Sequence, residues 1–186
     1  MKRIFLITAL LITATAGFGQ KFMTKNGKIY FNATSENSPE TIEATNDKTM
    51  SVVDASTGAI EFAVLMKAFI FERALMQEHF NENYVESDKF PKATFKGTIT
   101  NFSSVTLSKD GIYPVTIKGD MTMHGVTKQI TTEGTLTVSG GAITAGKSEF
   151  KLVLADYNIT VPSVVSNKLA KEAKIKVDLS YQPMAK

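Results

Sequence analysis

The chain contains no cysteine and no tryptophan, and only two histidines and five prolines among its 186 residues. Without cysteine there is no disulfide staple, no thiolate metal site and no cysteine nucleophile, so stability has to come from core burial and backbone pairing. Two histidines, His79 and His124, are too few for a histidine-built metal centre unless carboxylates complete it. No glycine-rich phosphate loop or GxSxG elbow is present, and no cofactor is expected. Charge of one sign is also scarce. Lys and Arg number 21 against 18 Asp and Glu, for a net +3. That near-balance gives no electrostatic case for a nucleic-acid partner.

Long apolar runs are confined to the N-terminus. Lys2 and Arg3 precede an apolar stretch from Ile4 to Ala16, with small residues following at Gly17 and Gly19. The stretch falls short of the roughly 20 residues that a membrane span requires. It has instead the layout of a cleaved secretory signal, with cleavage expected between Gly19 and Gln20. No cysteine follows for a lipoprotein anchor. The expected organisation is a signal peptide over 1–19 and a single domain over 20–186, periplasmic or secreted, with no transmembrane segment. Losing Lys2 and Arg3 brings the net charge still closer to zero.

What the sequence does have is period-two alternation. Ile29, Phe31 and Ala33 alternate, as do Ile60, Phe62, Val64 and Met66. Phe95, Gly97 and Ile99 follow, then Val115, Ile117, Gly119, Met121 and Met123, and finally Ile175, Val177, Leu179 and Tyr181. Such spacing puts one apolar and one wet face on each strand. His124-Gly125 and Gly140-Gly141 read as two-residue hairpin turns. Strands are expected over 29–35, 41–46, 49–54, 59–66, 93–102, 112–123, 127–138, 142–154 and 173–181. Two segments have helical spacing instead, Phe71–Phe80 and Pro162–Glu172. The fold class is therefore all-β, an antiparallel barrel of about eight strands with one or two short helices.

A barrel of that size is either filled by its own side chains or holds one apolar ligand. The inward candidates are Phe31, Ile60, Phe62, Val64, Met66, Phe95, Ile99, Val115 and Ile117. Met121, Phe150, Leu152, Ile175, Val177 and Leu179 continue the set. Gly97 and Gly119 lie on the same face, and two readings stay open for them. They bend a solid barrel, or they leave room for a long apolar ligand. His79 with Glu82 at helical spacing, or Met121, Met123 and His124 on one strand face, would be the start of a metal site. Each set lacks the further ligands, so no metal and no catalytic residue is assigned.

Two motifs carry a family resemblance. Phe90-Pro91-Lys92-Ala93-Thr94-Phe95 and, more specifically, Met121-Thr122-Met123-His124-Gly125-Val126-Thr127-Lys128-Gln129-Ile130 resemble the YceI-like family of secreted bacterial proteins. The resemblance implies an extended lipocalin-like antiparallel barrel with a helical insertion. It also implies a lumen for a long amphiphile, such as a polyisoprenoid, a quinone-type lipid or a fatty-acid derivative. Two places depart from the family. Asn26-Gly27-Lys28-Ile29 stands where many members carry a His-Ser pair. Leu154-Ala155-Asp156-Tyr157-Asn158 stands where many have Arg-x-Asp-Phe-Gly in a late strand. If those residues hold the head group in the family, the ligand here is expected to differ or to be absent, and the tail site is what the resemblance carries over.

The expected function is a non-enzymatic carrier, store or sequestering protein for an amphiphilic lipid. The alternatives are a structural or stress-related barrel with a packed lumen, and a metal protein using His79 or His124. Pairing of two copies through an exposed edge strand stays open.

Overall fold

The computed structural model describes residues 20–184, so the expected signal segment 1–19 lies outside the described residues. Eight long strands carry the fold: β1 (Lys21–Thr34), β2 (Glu43–Asp54), β3 (Ala59–Leu65), β5 (Lys92–Ile99), β6 (Gly111–Met123), β7 (Val126–Ser139), β8 (Ala142–Val153) and β9 (Leu169–Ser180). Two-residue pieces, β4 (Ile70–Phe71) and β10 (Gln182–Pro183), attach to β2 and β1. The long strands are ordered β1-β9-β8-β7-β6-β5-β3-β2, every pairing is antiparallel, and β2 returns to β1. The sheet is a closed eight-stranded barrel, as the alternation predicts. Closure pairs most of the edges that an open sheet would present.

The tight turns follow from residues that accept positive φ. His124 and Gly125 have φ 51° and 75°, and Gly140 and Gly141 have 59° and 79°. These are the angles of the hairpin turn whose twist matches its flanking strands.

β1 starts eight residues before its alternation becomes legible. Phe22 and Thr24 face inward on even positions, whereas Ile29, Phe31 and Ala33 do so on odd ones. Gly27 makes the switch: the register with β2 shifts on both sides of the Gly27–Thr49 pair. A side chain at Gly27 would lie 2.5 Å from Leu179 Cδ2. β2 shows the matching irregularity, and 41–46 and 49–54 prove to be one strand from Glu43 rather than two. Its interruption is stabilised by Asn46, whose Nδ2 donates to Leu65 O (2.9 Å) while its Oδ1 accepts from Lys48 N (2.9 Å).

The first helical segment forms later than its spacing suggests, because Ile70–Phe71 pair with Thr45 and Ala44. Helix α1 (Ala74–His79) runs on into a wider π turn, Phe80–Tyr84. Phe80 fastens it, packing against Phe31, Phe69 and Phe71 at ring-centroid distances of 5.7, 5.5 and 5.0 Å. The second helical segment does not form. Within 162–172 only Ser163–Val165 makes a 3₁₀ turn, and β9 begins at Leu169. Leu169 pairs with Thr34 across the sheet and is buried there, so its apolar spacing to Val165 reflects strand burial.

Candidate functional site

The β1–β2, β3–β5, β6–β7 and β8–β9 connections gather at one end of the barrel, which α1 crosses. The other end is solid. Phe22, Val53, Ile99, Val115, Val138 and Ile143 are each at most 2% exposed there. Just above this plug, Tyr181 Oη and Ser51 Oγ share a buried hydrogen bond of 2.8 Å. Burial pushes the Tyr181 hydroxyl well above the ordinary tyrosine range, and the Ser51 bond offsets this only in part.

Between plug and helix the lumen is hollow. An upper cavity of about 390 Å³ lies beneath α1, and a lower one of about 110 Å³ lies above the plug. Ile29, Val64, Ala93 and Met121 line both, so the two meet at a shared neck. Among the expected lumen residues, Phe31, Met66, Leu152 and Ile175 line the upper cavity, and Val64 and Met121 the neck. Ile60, Phe62, Phe95, Ile117, Phe150, Val177 and Leu179 line the lower. Phe62 and Phe95 meet edge to face there at 6.0 Å.

Four expected residues line neither cavity. Ile99 and Val115 belong to the plug. Gly97 and Gly119 face each other across β5 and β6. A Cβ on Gly119 would sit 2.4 Å from Gly97 Cα and 2.7 Å from the Phe95 ring. The glycines let two backbones approach closely, and the space above them is taken by Phe95.

The β7–β8 ladder stops at the Gly134–Ser148 pair. Ser148 Oγ takes over, donating to Glu133 O at 2.7 Å and meeting Thr132 Oγ1 at 3.1 Å. Beyond it the two strands diverge into a seam along the lower cavity, where Ile130 and Phe150 are half-buried.

The polar groups of the upper cavity cluster at its rim, and no sequence pattern marks them because they come from three separate loops. Glu40 lies between β1 and β2, Arg73 directly before α1, and Lys168 directly before β9. Glu40 Oε1 lies 3.3 Å from Arg73 Nη1 and 3.5 Å from Lys168 Nζ. The hydrogen bond from Arg73, followed by the charge of Lys168, holds the Glu40 carboxyl below the usual range.

The two histidines have different settings. His79 is exposed at the end of α1 and lines the upper cavity. His124 sits behind the wall: Nδ1 lies 2.9 Å from Tyr157 O and Nε2 2.8 Å from Glu86 Oε2, with the Phe90 ring packed against it at 4.7 Å. It ties the β6–β7 turn to the end of the helical segment and to the 3₁₀ turn Leu154–Tyr157. Among the described residues no three His, Cys, Asp or Glu side chains cluster as metal ligands. The segment that departs from the family's late motif is that same 3₁₀ turn. It ends on Asn158 at φ 57°, a left-handed position that asparagine tolerates and glycine takes freely.

Comparison with known proteins agrees with this architecture. The protein YceI of Shigella flexneri is 35% identical over 82 residues, which are 41% of this chain and 39% of that protein. The same protein of Escherichia coli O157:H7 matches to the same extent. The chain thus spans about two fifths of the length of these curated relatives. Two solved structures share the fold. A polyisoprenoid binding domain from Saccharophagus degradans, implicated in plant cell wall breakdown, aligns with a TM-score of 0.71 at 11% identity. That alignment covers 89% of this chain and 99% of the domain. BcnA of Burkholderia cenocepacia aligns with a TM-score of 0.64 at 14% identity, covering 84% and 96%. The sequence profile of the YceI-like domain matches residues 16–181, nearly the whole barrel, and the chain belongs to the YceI-like family.

Proposed function

We propose that the barrel binds one long-chain amphiphile, its tail in the lumen and its head at the helical end, and serves as a carrier or store outside the cytoplasm. The observation that carries this reading is the pair of apolar cavities that adjoin at Ile29, Val64, Ala93 and Met121 inside the barrel. The upper cavity alone falls within the roughly 300–1,000 Å³ common for small-molecule sites. Burying ten methylenes at about 0.8 kcal/mol each supplies some 8 kcal/mol, enough to offset much of the association cost of about 4–15 kcal/mol. The plug sets the depth the tail reaches. The polyisoprenoid-binding neighbour supports a tail of this class. Export rests on the signal-like segment 1–19, and the first strand starts at Lys21, immediately after the proposed cleavage site.

The test is mass spectrometry of protein taken gently from its native compartment, as intact complex and as organic extract. A stoichiometric amphiphile and a chain beginning at Gln20 are expected. An empty protein that also rejects added isoprenoids overturns the carrier reading in favour of a barrel without a ligand.

A further inference from the structure

The amphiphile reading leaves the chemistry of the head open, and the rim of the upper cavity narrows it. Arg73 and Lys168 both point at one oxygen of one carboxylate, Glu40 Oε1. All three side chains line the cavity that would hold the head. The cluster carries two positive charges and one negative, so it is left with a surplus cation at the opening of an otherwise apolar chamber.

Its contribution to stability does not explain it. The Arg73, Lys168 and Glu40 side chains are 56%, 42% and 35% exposed. Ion pairs so open to water contribute little to stability. What the arrangement does provide is a cationic fork held at a fixed place. Arg73 approaches Glu40 through Nη1, and a guanidinium carries five N–H donors in a planar fork suited to a carboxylate or phosphate. Lys168 brings a compact charge from the opposite loop.

We infer that Arg73 and Lys168 form a head-group site selecting amphiphiles with an anionic head, a carboxylate or a phosphate, and that Glu40 is the resident anion which such a head displaces. The site rests on the amphiphile reading and goes beyond it by naming the head. Because Glu40 occupies the cations in the empty protein, it opposes the ligand. Removing Glu40 and removing the cations therefore have opposite effects. A role limited to tying the three loops together predicts the same sign for both.

The experiment measures affinity for three probes with one hexadecyl tail: hexadecanoate, hexadecyl phosphate and hexadecanol, each below its micelle-forming concentration. The wild-type protein should bind the two anions about tenfold or more tighter than the alcohol. The double variant Arg73→Gln/Lys168→Gln should lose that preference while keeping its affinity for the alcohol, which also shows that the barrel is folded. Glu40→Gln should tighten both anions severalfold and leave the alcohol unchanged. A wild-type preference for the phosphate that disappears in Arg73→Gln alone assigns a phosphate head, and equal binding of the two anions assigns an anionic head without discrimination between carboxylate and phosphate. If the alcohol binds as tightly as the anions, or if Glu40→Gln weakens the anions, the head-group site is overturned while the amphiphile reading stands. If none of the three binds, both fall together.

Discussion

Replacing Tyr181 by phenylalanine tests the closed end of the lumen, because it removes one hydroxyl from a buried pair and nothing else. Ser51 is 1% exposed and Tyr181 5%, so the substitution leaves the Ser51 hydroxyl buried without its partner. An unpaired buried group of this kind costs about 1–3 kcal/mol, which is the expected destabilisation at pH 7. The pH dependence gives a second handle. Burial raises the Tyr181 pKa in the folded protein, while the unfolded chain titrates near 10. The folded state therefore keeps a proton that the unfolded state gives up. The associated stability is complete below about pH 10 and falls by about 1.4 kcal/mol per unit above it. Tyr157, also raised by burial and by the neighbouring Asp156, contributes in wild type and variant alike and cancels from the difference. Urea unfolding of both proteins at pH 7, 10 and 11 is the assay. The wild-type advantage should be largest at pH 7 and shrink by about 1 kcal/mol between pH 10 and 11, where the unfolded tyrosine is between half and fully ionised. An advantage that stays constant across that range refutes the assignment of Tyr181 as a buried neutral donor to Ser51.

Two further substitutions probe the wall. Gly119→Ala places a methyl 2.4 Å from both Gly97 Cα and Lys96 O, so the strands must shift, at about 1–3 kcal/mol. An unchanged denaturation midpoint contradicts the close-approach account. His124→Gln cannot span Tyr157 O and Glu86 together and should destabilise by about 1–3 kcal/mol while leaving ligand affinity within twofold, since His124 does not line either cavity. A large loss of affinity in a protein of wild-type stability would instead place His124 in the binding site.

Much of the barrel is legible in the chain because alternation and turn chemistry act locally. Gly125, Gly140 and Gly141 mark hairpins that the structure contains. Where one element's phase depends on another, the local pattern is not enough. The first half of β1 is hidden by the register shift at Gly27, where Leu179 of β9 leaves no room for a side chain. The segment 162–172 has helical spacing, yet Leu169 is claimed by its pairing with Thr34. In the site, inward-facing residues could be named from alternation, but alternation does not separate plug from cavity. Ile99 and Val115 have the same pattern as Ile60 and Ile117, and only their height in the barrel distinguishes them. The Glu40, Arg73 and Lys168 rim has no sequence signature, because three loops with no shared period bring it together.

Whether the hollow lumen takes an apolar tail along its length is decided by binding of a series of straight-chain alcohols from octanol to eicosanol. Being neutral, the series leaves the charged rim out of the comparison. Affinity should rise about fourfold per added methylene, the equivalent of about 0.8 kcal/mol, until the tail reaches the plug, and then level off. Affinity that does not change with chain length, or no binding at any length, contradicts it.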